Sequence, residues 1–96
     1  MPPAYRLMFE DFKARLQNDN SREIRRVATS ALLALATPRL SSFMLTFILG
    51  PFYEREAYGH EIAAAIYEEA VKWTDDSSTR SELQEKIESL RGAPVK

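Results

Sequence analysis

The sequence predicts an all-α fold, a five-helix compact bundle or a short stack of antiparallel helix hairpins. Three observations carry this expectation. Apolar residues recur at spacings of three and four along most of the chain. Alternating apolar–polar runs of the kind that mark strands are absent. Capping and breaking residues punctuate the chain at intervals of a helix length.

The first helix is expected over residues 3–17, where Tyr5, Met8, Phe9, Phe12 and Leu16 fall on one face and Arg6, Glu10, Asp11, Lys13 and Arg15 lie elsewhere. Asn18-Asp19-Asn20-Ser21 is a turn cluster, with Asn20 and Glu23 spaced as a capping box. The second helix follows over 21–36, with Ile24, Val27, Ala28, Ala31, Leu32 and Leu35 as its core stripe. Thr37-Pro38 reads as an N-cap with proline at the first helical position, opening a third helix over 38–49. That helix is apolar around most of its circumference, with Arg39, Ser42 and Thr46 as its polar wedge. Such a helix is buried on most sides or faces a second subunit.

Gly50-Pro51 is read as its stop, because glycine suits the left-handed position after a helix and proline cannot continue it. The fourth helix is expected over 53–73, with one stripe of Ile62, Ile66, Ala70 and Trp73 and a second of Ala64, Tyr67 and Val71. Asp75 to Ser78 form the next turn. Thr79 and Glu82 are spaced as a capping box for a fifth helix over 79–91, ended by Gly92 and Pro94.

At 96 residues with 45% hydrophobic and 28% charged residues, the chain is expected to be one globular domain over 1–96. It has no cysteine, which excludes disulfides and thiolate metal sites and suits a reducing, cytoplasmic setting. Met1-Pro2-Pro3 is not followed by the apolar stretch of a secretory signal. The longest apolar run, Leu40 to Tyr53, is shorter than the roughly 18–20 residues of a membrane span and is broken by Gly50-Pro51. Charge is uneven: residues 1–39 hold seven Arg/Lys against four Asp/Glu, or +3, and residues 40–96 hold six against ten, or -4.

The chemistry-bearing residues are sparse. His60 is the lone histidine; with Glu56 four residues before it, the pair would share a helix face but supply only two metal ligands. The three glycines are isolated, so no phosphate-cradling loop is present, and no serine has a base partner beyond His60. No catalytic residue, cofactor or metal site is expected.

Leu16-Gln17-Asn18-Asp19, then Glu23-Ile24-Arg25-Arg26-Val27-Ala28, then Ala31-Leu32, resemble the inner-helix half of a HEAT-type repeat. A fainter copy without the arginines follows 38 residues later, where Glu61-Ile62 aligns with Glu23-Ile24 and Ala63 to Ile66 come after. HEAT-like repeats have a period near about 40 residues. The resemblance implies a helix-hairpin stack used for protein binding and no catalytic residues.

Arg22, Arg25 and Arg26 share the polar face of the second helix with Thr29 and Leu33. Either they form local ion pairs on a wet face, or they meet an acidic protein or a phosphate backbone. Leu33, an apolar side chain in that face, favours protein. A pI near 5.8 and the lack of aromatic residues among the arginines disfavour nucleic acid. The expected function is a non-catalytic protein–protein interaction module, a small helical adaptor or assembly factor that binds another protein, itself, or both. Its expected partner-binding residues are Arg22, Arg25, Arg26, Thr29, Leu33, Tyr67 and Val71. A nucleic-acid-binding or regulatory domain using the three arginines is the alternative.

Overall fold

A computed structural model describes residues 2–37 and 39–92. Among these residues every regular element is helical and none is a strand, so the chain is all-α. The elements are α1 (Pro3–Asn18), α2 (Arg22–Leu35), α3 (Ser42–Met44), α4 (Gly50–Arg55), α5 (His60–Lys72) and α6 (Ser77–Leu90). A π-helical turn, Leu45–Leu49, joins α3 to α4 without a break. Two compact units can be described, Met1–Leu40 and Ser41–Lys96.

In the first unit α1 packs against α2. Proline at the start of α1 pre-sets the helical φ where its missing N–H costs nothing. Tyr5, Met8 and Phe12 of the predicted stripe are buried, with Ala4 beside them, and Phe9 and Leu16 are half-buried. Residue Ser21, rather than Asn20, caps α2 by accepting the Ile24 N–H at 3.4 Å, while Asp19 Oδ1 accepts the Ser21 N–H at 2.8 Å. The Tyr5 hydroxyl accepts the Leu40 N–H.

The predicted start of the third helix at Thr37-Pro38 is not where a helix begins. Thr37 finishes α2 instead: its N–H and hydroxyl both donate to the Ala34 carbonyl, at 3.1 and 2.8 Å. Pro38 lies outside the described residues. The next helix starts at Ser42, capped by the Ser41 hydroxyl, which accepts the Met44 N–H at 3.2 Å.

In the second unit the expected stop at Gly50-Pro51 does not occur, and helix runs from Ser42 to Arg55. A proline inside an α-helix removes one hydrogen bond and drives its ring against the carbonyl four residues back. Here the preceding turn is opened by one residue, and the Gly50 N–H donates to the Leu45 carbonyl five residues back. A Cβ on Gly50 would sit 2.4 Å from the Tyr67 ring and 2.8 Å from the Leu45 carbonyl oxygen, so the wide turn and the ring need glycine between them.

The predicted continuous helix over 53–73 is interrupted. Glu56 is extended, its N–H and that of Gly59 closing turns onto Tyr53 and Glu56, and α5 begins only at His60. Gly59 therefore lies ahead of α5, with the Tyr53 carbonyl oxygen 2.4 Å from where its Cβ would be. Helix α5 packs against α3, the π-turn, α4 and α6. Leu45, Tyr53, Ala63, Ala64, Ala65, Ile66, Tyr67, Ala70 and Leu83 are this unit's buried apolar side chains, with Gly50, Gly59 and Glu69 buried beside them. Asp76, rather than Thr79, caps α6: its Oδ2 accepts the Thr79 N–H and hydroxyl at 2.8 and 2.7 Å. No helix among the described residues is long and apolar enough to cross a membrane.

Candidate partner-binding surface

Five of the seven expected partner-binding residues come together on α2. Arg22, Arg26, Thr29 and Leu33 are spaced by four, three and four residues, so they form one line along the helix, and Arg25 flanks it. All five are exposed, Leu33 by 70%. The helix buries only Ala28 and Leu35 of its 14 residues. Val27, expected in the core stripe, is 45% exposed.

The arginines have different partners. Arg25 Nη1 donates to the Leu16 carbonyl at 2.6 Å and so ties the start of α2 to the end of α1, where free carbonyls carry the negative end of the helix dipole. Arg22 and Arg26 have no ion-pair partner among the described residues. Both lie in the first two turns of α2, whose N-terminal N–H groups add positive potential to theirs. With Asn20, Arg25, Thr29 and Ser30 they line an open hollow of about 500 Å³.

Tyr67 and Val71 belong to the other unit. Tyr67 has no exposed surface and is not available to a partner. Its hydroxyl donates to Glu54 Oε1 at 2.6 Å, and Lys86 Nζ lies 3.6 Å from that carboxylate and 5.2 Å from the ring centroid. Burial, then the bond to Glu54, raises the Tyr67 pKa far above the usual phenol value. Val71 is half-buried, in a shallow groove with Glu68, Gln84, Ile87 and Glu88.

Some other charges in this unit are paired. Glu69 is buried, accepts the Trp73 Nε1–H at 2.8 Å and meets Lys72 Nζ at 3.3 Å. Arg91, at the end of α6, donates to Glu68 and lies 3.3 Å from Glu61, and the Glu68 bond raises its pKa. His60 is exposed at the first position of α5, whereas Glu56 lies in the preceding break, so the two do not share a helix as the sequence implied. Among the described residues no three His, Asp or Glu side chains are grouped to hold a metal ion.

A second exposed surface lies on the helix expected to be buried on most sides or to face a second subunit. Phe43 and Phe47 are each 62% exposed with ring centroids 5.1 Å apart, and Ile48 is 49% exposed. The expected polar wedge of that helix is partly turned in: Ser42 and Thr46 are half-buried while the phenyl rings face out. The excess of apolar residues around the helix was the available signal, but it named no side.

Compared with protein-family models, with curated proteins and with solved structures, the chain matches none.

Proposed function

We propose that the chain is a non-catalytic protein–protein interaction module, a small helical adaptor or assembly factor, and that α2 is its contact helix. The reading rests on the two unneutralised arginines, Arg22 and Arg26, in line with the bare Leu33 on a helix that buries only two residues. Soluble surfaces balance neighbouring charges at little cost, and an apolar side chain at the end of an unbalanced basic line matches a protein segment bearing carboxylates and an apolar anchor. A phosphate backbone would use the arginines but not Leu33, and Glu23 in the same turn would repel it. A HEAT-like use of paired helices for protein binding agrees with this reading; α1 packs on α2, and α5 on α6.

Photo-cross-linking tests it. A benzoylphenylalanine replacing Leu33 in the tagged chain is irradiated in cells, with one replacing Ser81 on α6 as control. The expected adducts are protein, resist nuclease, and disappear with Arg22→Glu/Arg26→Glu. That double variant is expected to stay folded, because both side chains are exposed and an acidic residue at position 22, in the first turn of α2, is favourable by about 0.3–1 kcal/mol. Adducts no stronger than those from position 81, or adducts that nuclease removes, would reject the proposal.

A further inference from the structure

Arg26 and Leu33 each stand two residues before a buried residue of α2, Ala28 and Leu35, and a helix turns about 100° per residue. They therefore lie opposite the buried side of α2, with Arg22 in the same line. Thr29 and Ser30, between the arginines and Leu33, are small, so the middle of this side is low. Two open hollows share Arg26 and Ser30 as a common wall. One holds Arg22 and Arg25; the other, of about 390 Å³, holds Glu23 and Val27. A low ridge between two hollows is the kind of surface on which a second helix seats its own side chains.

We infer that the partner segment is a helix antiparallel to α2, with carboxylates in its last turn and an apolar residue seven to eleven positions before them. This rests on the reading of α2 as the contact helix and names the form of what it contacts. Charge decides the direction. Arg22, in the first turn of α2, opposes the dipole of its own helix, and carboxylates in the last turn of a helix oppose theirs. Set antiparallel, each charge offsets the other, and the free carbonyls at the partner's end also face the arginines. Helix α1 is an instance within the chain. It joins α2 through the short turn at 19–21, which makes the two antiparallel, and its Leu16 carbonyl accepts Arg25 Nη1 at 2.6 Å. A parallel partner would bring its own N-terminal N–H groups to the arginines, and a strand has little net dipole to offer them. The spacing follows from α2 itself. Leu33 lies seven residues past Arg26 and eleven past Arg22, about 10 and 16 Å at 1.5 Å per residue.

The chain's own helices do not fit this description. In their last turns Glu54 is held by Tyr67 and Lys86, Glu69 is buried, and α1 and α2 have no carboxylate. Glu88 of α6 has no apolar residue seven to eleven positions before it. The occupant is thus a different protein rather than a second copy.

Selection from displayed peptides tests this. A library of random peptides of about 15 residues, four turns of helix, is selected on the full chain, with counter-selection on Arg22→Glu/Arg26→Glu. Enriched peptides are expected to place carboxylates seven to eleven positions after an apolar residue and to gain helical circular dichroism on mixing with the chain. They should bind it at least about tenfold more tightly than they bind the double variant. Carboxylates ahead of the apolar residue, peptides that stay non-helical when bound, or no enrichment over the double variant would each overturn the inference. None of these alters what Leu33 cross-links in cells, so the helical form of the partner and the α2 reading fail separately.

Discussion

Helices α2 and α5 are nearly equal in length, 14 and 13 residues, and differ in what they hide. Helix α5 buries Ala63, Ala64, Ala65, Ile66, Tyr67, Glu69 and Ala70; α2 buries Ala28 and Leu35. The alanines let backbones approach α5 on several sides, and its unit surrounds it with α3, the π-turn, α4 and α6. Helix α2 packs on α1 alone within its own unit, and its arginines and Leu33 remain in solvent. A helix becomes scaffold or contact surface through the neighbours available to it as much as through its own pattern. Tyr67, Val71 and Leu33 were all expected to meet a partner, but Tyr67 is buried, Val71 half-buried and only Leu33 is bare.

The sharpest way to break this contrast is to truncate one residue from each helix. Tyr67→Ala removes a fully buried ring and the donor to Glu54, and is expected to cost about 3–5 kcal/mol in urea unfolding. Leu33→Ser is expected to change stability by no more than about 0.5 kcal/mol while weakening partner capture. Comparable losses from the two would mean that α2 is packed as tightly as α5.

A smaller effect is expected at the point where the π-turn meets α5. Gly50→Ala inserts a methyl group where the Tyr67 ring and the Leu45 carbonyl already crowd, and should cost about 1–3 kcal/mol by the same measurement. A neutral result would mean that the turn relaxes to ordinary α-helix.

The smallest effect concerns the cap of α6. Bonds from the Thr79 hydroxyl and N–H hold the Asp76 carboxyl below its ordinary pKa of 3.8. With the folded pKa below the unfolded one, the stabilisation is complete above the ordinary carboxylate range and is lost as pH falls through the lowered value. Asp76→Asn keeps a capping oxygen without the titration, so the acid limb of its melting-temperature profile should be slightly flatter than that of the parent. An identical limb would remove the cap from the account.

Much of the fold was legible because its signals are local. The amphipathic spacing of Tyr5, Met8 and Phe12 gave α1, and the turn residues 18–21 and 75–78 separated the helices they were expected to separate. The line of Arg22, Arg25, Arg26, Thr29 and Leu33 on one exposed face followed from helical periodicity. Caps were placed less well, Ser21 and Asp76 serving where Asn20 and Thr79 were expected, because several oxygens in one turn compete for the same N–H groups.

By itself the sequence determined the all-α class, the cysteine-free chemistry, the uneven charge and the make-up of the α2 face. Tertiary structure alone decided the rest. It carried the helix through Gly50-Pro51 by opening a turn against Tyr67, broke the long predicted helix at Glu56 to Gly59, and left Phe43 and Phe47 outside while Tyr67 went in. The physical reason is that periodicity states which residues share a side of a helix. Which side is covered depends on the distances at which neighbouring helices pack, and those are set by residues far away in the chain.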